Sequence, residues 1–206
     1  MRKILIGLSL AAMVAGGVAR AAETAEAIPA EFLQQFSPLA MQLIQQQFPN
    51  PPVKVDLNAD KAVGYHVKEM VAVVVIPDKA ITGKAVEDAA DKDVPVAVIA
   101  TKSLTVRDKD KAVGADQLSV ADFNGMFKIP VFYVAVRGKG TDRTLEIYSK
   151  DGKAISSTPL KKQAGDANQP VAVKLNNIDM EKKTLDLTVG VAGAYEGTVP
   201  MSFLDL

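Results

Sequence analysis

Three hydrophobic textures succeed one another along the chain. Residues 4–18 are an unbroken run of apolar and small residues without a charge. Between Glu31 and Phe48 the apolar positions take helical spacing, with Phe32, Phe36, Leu39 and Leu43 four, three and four residues apart. Leu33, Ala40 and Ile44 lie beside that stripe, and Gln34, Gln35, Gln42, Gln45, Gln46 and Gln47 fill the other face. The pattern predicts an amphipathic helix whose Phe32–Leu43 stripe packs on the rest of its own domain, the alternative being a partner-binding or swapped helix tethered by the proline-rich stretch after it. Ser37-Pro38 interrupts it, because serine suits an N-cap and proline the first helical position. Two short helices, or one kinked helix, are expected. Pro49-Asn50-Pro51-Pro52 then ends the helix.

From Val53 the texture becomes that of strands. Val53-Lys54-Val55 alternates, whereas Met70–Ile76 is a continuous apolar run, expected to be buried on both faces. Pro77–Lys92 is richer in alanine and charge and predicts a short helix after Asp78, weakened by Gly83. Val94–Ala100 is another strand. Strand, helix, strand fits a parallel crossover and equally a hairpin with a helical insertion. Further on, Ile129–Val136, Thr144–Tyr148, Pro170–Leu175, Thr184–Val191 and Tyr195–Phe203 read as strands. Asp151-Gly152 is a favoured hairpin turn, and Leu185, Leu187 and Val189 share one strand face.

These elements predict a mainly β fold, a β-sandwich of immunoglobulin-like character, with an N-terminal helical segment and room for a small α/β portion. Residues 22–52 would be a lead-in and helix, and 53–206 the β-rich domain. The charged, turn-rich stretch Val106–Asp122 allows two lobes, 53–106 and 123–206, or a long loop on one domain. Two short echoes, Asp60–Gly64 with Asp110–Gly114 and Pro95–Val98 with Pro170–Val173, differ in spacing and so do not define a repeat.

The first texture sets the compartment. Met1-Arg2-Lys3 precedes the apolar run, and Ala19-Arg20-Ala21 offers small residues at a cleavage site. This is the layout of a signal peptide over 1–21, cut after Ala21. Fifteen helical residues reach roughly 22 Å against a hydrocarbon core of about 30 Å, which argues against retention as an anchor. A periplasmic or extracellular protein is expected.

Composition narrows the chemistry. The 24 bases and 24 acids of the full chain become slightly acidic once Arg2, Lys3 and Arg20 are removed, so there is no electrostatic footprint for nucleic acid. The absence of cysteine removes disulfides, thiol nucleophiles and thiolate metal sites. Only 5% of residues are aromatic, too few for the girdles of an outer-membrane barrel.

His66 is the single histidine, which excludes multi-histidine zinc sites and bis-histidine haem. Any serine triad must use it. Ser103, Ser119, Ser149, Ser156, Ser157 and Ser202 are the available nucleophiles, and none sits in a Gly-x-Ser-x-Gly elbow. Asp56, Asn58 and Asp60 have the alternation that opens a calcium loop, but Lys61 and Val67 stand where a glycine and a bidentate glutamate belong. Asp108-Lys109-Asp110 resembles it with still more lysine nearby. Both read as turns before strands. Gly138-Lys139-Gly140 and the glycines of Gly190–Gly197 lack a phosphate-loop pattern and read as hairpin loops and a bulge. No catalytic, cofactor or metal set emerges. The expectation is an exported, non-catalytic binding or accessory protein of the cell envelope, whose partner is another envelope protein or itself. The alternatives are a secreted hydrolase using carboxylates or a serine site, and a self-assembling structural protein.

Overall fold

The computed structural model describes residues 24–204 except 91, 110, 124, 126 and 167. The expected signal peptide, 1–21, lies outside these described residues. The chain begins with β1 (Glu26–Ala27) and α1 (Ala30–Gln47). A connection with a 3-10 turn leads to β2 (Val63–Val67), β3 (Val71–Pro77), α2 (Gly83–Glu87) and β4 (Val94–Lys102). Next come β5 (Leu104–Asp108), β6 (Lys111–Ala112), β7 (Ser119–Asp122) and β8 (Lys128–Arg137). The remainder is β9 (Thr144–Tyr148), β10 (Ala154–Pro159), β11 (Lys161–Lys162), β12 (Val171–Asp179), β13 (Thr184–Val191) and β14 (Tyr195–Phe203).

Two antiparallel sheets form a β-sandwich. The first has eight strands in the order β1-β2-β3-β4-β8-β9-β10, with β7 also on β8. The second has six, in the order β12-β13-β14-β5-β6, with β11 on β14. Period-2 burial in β13 turns Leu185, Leu187, Val189 and Val191 inward. Facing them from the first sheet are Val73, Val75, Ile99, Phe132, Val134, Leu145 and Ile147, all in one core. Strands from 53–106 and from 123–206 interleave in both sheets, since β4 pairs β8 and β5 pairs β14.

The chain changes sheets between β4 and β5 at Ser103, which takes φ +57°. The corner is held by the Thr101 hydroxyl donating to the Leu104 carbonyl (2.9 Å) and Leu204 N–H donating to the Ser103 carbonyl (2.9 Å). Of the two readings of the strand–helix–strand segment, the hairpin holds: β3 and β4 pair antiparallel around α2. Gly83 opens α2 instead of weakening its interior, and Thr82 caps it by accepting from Ala85 N–H (3.1 Å). Val53–Val55, expected as a strand, has no ladder partner among the described residues. It belongs to the connection that carries the chain from α1 to β2, with Val53 buried against the helix side of the sheet. The strand expected over Pro170–Leu175 continues to Asp179 through a bulge. There the Asp179 carboxylate accepts from the Lys182 and Glu181 N–H groups, which hold its pKa below the usual range.

A third layer, α1, covers part of the outer face of the first sheet. This is why β3 is apolar throughout, as its continuous run required. The helix is a single element with Pro38 inside it. Pro38 is exposed, so the carbonyl of Gln34 that it leaves without an N–H lies on the water side. Ser37 is therefore no N-cap; it is fully buried in mid-helix. The buried stripe is Leu33, Ser37, Ala40 and Ile44, and Phe32, Phe36, Leu39 and Leu43 lie one residue round on the flank. Small residues at 37 and 40 let the helix approach the sheet closely, which fixes its rotation. No helix among the described residues is long and apolar enough to cross a membrane.

Two hydroxyls beneath the helix, Ser37 Oγ and Tyr133 Oη, are buried without a hydrogen-bond partner among the described residues. Burial pushes the Tyr133 pKa up to about 12. Ser37→Ala and Tyr133→Phe are each expected to raise stability by about 1 kcal/mol, because an unmet desolvation cost disappears. Tyr148, across from Tyr133 on β9, is also pushed to about 12, chiefly by burial. Unfolded tyrosine ionises near pH 10. The stability gained by keeping these phenols neutral is thus complete below pH 10 and is lost as pH rises through 12. Urea titrations at pH 8 and 11 check both points: Tyr133→Phe should flatten the alkaline loss, and a destabilised variant at pH 8 would refute the account.

Candidate binding groove

Both ends of α1 are pinned, and the pins create a hollow beside it. At the start, β1 pairs with β2, and Ile28 N–H donates to the Gly64 carbonyl (2.9 Å). At the end, the Gln47 side chain acts like a strand neighbour to β7. Its Nε2 donates to the Asp122 carbonyl (2.8 Å), and its Oε1 accepts from the Asp122 N–H (2.9 Å). The helix is therefore fixed over β2, β3 and β7, and its Phe32–Phe36 edge faces the β7–β8 hairpin.

That edge continues into the hairpin as a ladder of four rings. Phe32 stacks on Phe36 with centroids 5.5 Å apart, Phe36 on Phe123 at 5.9 Å, and Phe123 on Phe127 at 4.9 Å. Such offset stacks contribute roughly 0.5–1.5 kcal/mol each beyond their buried area. The hairpin presents its two rings because Phe123 N–H donates to the Phe127 carbonyl (3.0 Å), and Gly125, at φ +73°, donates to Asp122 Oδ1 (2.6 Å). The ends of the ladder stay in water: Phe32 is 50% exposed and Phe127 47%.

Between the ladder and the sheet lies a groove of about 390 Å³. Its floor is Ala72, Val74 and Ala100, outward-facing positions of β3 and β4. The two alanines leave the space; their inward neighbours Val73 and Ile99 are larger and fill the core. Phe32, Phe36 and Ile28 form one wall, Phe127 and Ile129 the other. Among the described residues, the charged members of the lining are Lys102 and Lys128, and it holds no carboxylate, serine or histidine.

The residues singled out from sequence lie elsewhere or apart. His66 sits opposite Ala72 on β2, so it shares the outer face, just beyond the groove floor. Its Nδ1 lies 3.0 Å from the Lys68 carbonyl oxygen, and its Nε2 3.9 Å from a Glu26 carboxylate oxygen. None of the candidate serines shares a hydrogen bond with it among the described residues. Ser149 Oγ, fully buried, accepts from Ser119 N–H (2.7 Å), and Ser157 donates to Glu146 Oε1 (2.7 Å). Asp56, Asn58 and Asp60 do not converge. Asp56 pairs with Lys79 (3.0 Å), while Asn58 N–H donates to the Pro77 carbonyl (2.8 Å). The organising carboxylate of that loop is Asp78, which accepts from the Asp56 and Ala80 N–H groups at 2.7 Å. No group of three or more metal-ligating side chains forms among the described residues.

A polar cluster occupies the same outer face beyond the helix. Arg137 grips Asp93 with two donors (2.8 and 3.2 Å), and Tyr148 donates to Asp93 Oδ1 (3.1 Å). Glu146 Oε1 accepts from Thr144 (2.6 Å) and Ser157 (2.7 Å). Both carboxylates are engaged by their own neighbours, as in a network that ties strands β8, β9 and β10 together.

Set against known proteins, the chain matches no family model, no curated protein and no solved structure.

Proposed function

We propose that this chain is an exported, non-catalytic binding protein of the cell envelope, and that the groove between α1 and the β7–β8 hairpin is its working surface. The supporting observation is the phenylalanine ladder. A soluble surface gains nothing from leaving two ends of a stacked aromatic row in water above a hollow. A lining of apolar groups with a few polar ones placed at its margin is the usual composition of a ligand site. Among the described residues the same lining lacks the groups from which acid–base or nucleophilic chemistry is built. The leader-like residues 1–21 supply the compartment.

The test is a photoreactive benzoylphenylalanine at position 127, with position 153 in the exposed β9–β10 turn as control, irradiated in the producing cell. An adduct formed at 127 and absent at 153 is expected. Equal labelling, or none at 127, overturns the reading. An adduct of twice the chain mass would assign the surface to self-assembly.

A further inference from the structure

We propose that the groove takes a single-chain amphiphile with an anionic headgroup, the chain lying over Ala72, Val74 and Ala100 and the headgroup meeting Lys102 and Lys128. The inference rests on the groove being the binding surface and adds the class of ligand. It follows from how charge is distributed along the hollow. The pairing of Ala100 with Val131 places Lys102, beyond Ala100 on β4, and Lys128, at the start of β8, at the same end of these two antiparallel strands. The remaining lining is apolar apart from the Thr101 hydroxyl, which is committed to the Leu104 carbonyl. A hollow that is greasy along its length and cationic at one end has the polarity of a long-chain anion.

The cations are free to serve. Lys102 Nζ donates to the Glu69 carbonyl oxygen (2.5 Å), which positions the ammonium without neutralising it and leaves two donors. The Lys128 ammonium has no hydrogen bond or ion pair among the described residues, its backbone being paired with Asp122. Three acids lie near by sequence or pairing, Glu26, Glu69 and Asp122, the last opposite Lys128 across the β7–β8 ladder with its carboxylate accepting from Gly125 N–H, and none of the three lines the hollow. The volume suits one slender chain and little more, at the lower end of the roughly 300–1,000 Å³ seen for ligand sites. The stacked rings supply a continuous wall for methylene groups, and the side opposite the floor is open to admit them.

The experiment is calorimetric titration of the purified protein with sodium dodecanoate, dodecanol and dodecyltrimethylammonium, each below its micelle concentration. Saturable one-to-one binding of dodecanoate is expected, at least ten times tighter than the trimethylammonium compound. In the double variant Lys102→Gln, Lys128→Gln the preference for the anion should vanish while the trimethylammonium affinity stays. Ala100→Leu, which fills the floor, should lose all binding, with its melting temperature reported alongside. Equal affinity for the three probes overturns the headgroup assignment. Failure of dodecanoate to bind overturns the ligand class. If position 127 still yields a specific adduct in cells, the binding function survives that failure; if it does not, both fall.

Discussion

Gly64→Ala should destabilise the protein by about 1–3 kcal/mol and collapse the groove, the range expected for overfilling a packed contact. A Cβ at position 64 would lie 2.9 Å from Ile28 Cδ1 and 2.9 Å from the Val73 carbonyl oxygen, with Leu33 Cδ2 at 3.4 Å. The isoleucine tip can rotate away. The carbonyl cannot, because it belongs to the ladder that joins β2 to β3. Relief therefore comes from lifting the β1–α1 segment, which carries Ile28 and Phe32, off the sheet. The glycine is retained here for close approach, and its φ is unremarkable. Urea denaturation measures the first effect. The second shows as a loss of dodecanoate binding larger than the unfolded fraction accounts for. Wild-type stability with wild-type binding would mean that α1 is not seated as described.

The strands that could be read from sequence were those whose apolar content announces burial. β9, β13 and β14 match their expected limits, and β3, β4 and β8 differ by a residue or two. β10 was invisible because Ala154–Pro159 is a polar edge strand, and β5 because it begins at the Ser103 corner, where a local pattern carries no sign of a change of sheet. The helix was legible, its buried face was not. Periodicity weights large residues, so Phe32, Phe36, Leu39 and Leu43 looked like the core stripe, whereas close packing on a sheet selects small ones, Ser37 and Ala40. That single-residue rotation is what leaves Leu39 63% exposed and turns Phe32 and Phe36 toward the groove. The site itself was beyond local reading. Phe36 and Phe123 stack across some ninety residues of chain, and Lys102 and Lys128 meet only through the β4–β8 register. The one local hint was Phe123 and Phe127 flanking Gly125, two rings on a turn in an aromatic-poor chain.

Two phenylalanines five residues apart offer the sharpest contrast between folding and function. Phe132 lies mid-strand in β8, only 1% exposed, between the two sheets. It is the largest of the fully buried side chains, and β8 is flanked by β4 on one side and by β7 and β9 on the other. No neighbour can close the space, so Phe132→Ala should cost about 3–5 kcal/mol, the range for truncating a core aromatic. For a domain of this size that shifts the melting temperature by roughly 6–20 °C. Phe127→Ala removes the same atoms from the end of the ladder, where one face of the ring is already in water. Its loss of stability should be well under that of Phe132→Ala, limited to about the 0.5–1.5 kcal/mol of one offset stack. Its loss of dodecanoate affinity should nevertheless be tenfold or more. Thermal melts and titration of both variants on one preparation decide the point. If Phe127→Ala binds normally, the ladder is only a brace between α1 and the hairpin. If Phe132→Ala melts with the wild type, the packing of the two sheets described above is wrong.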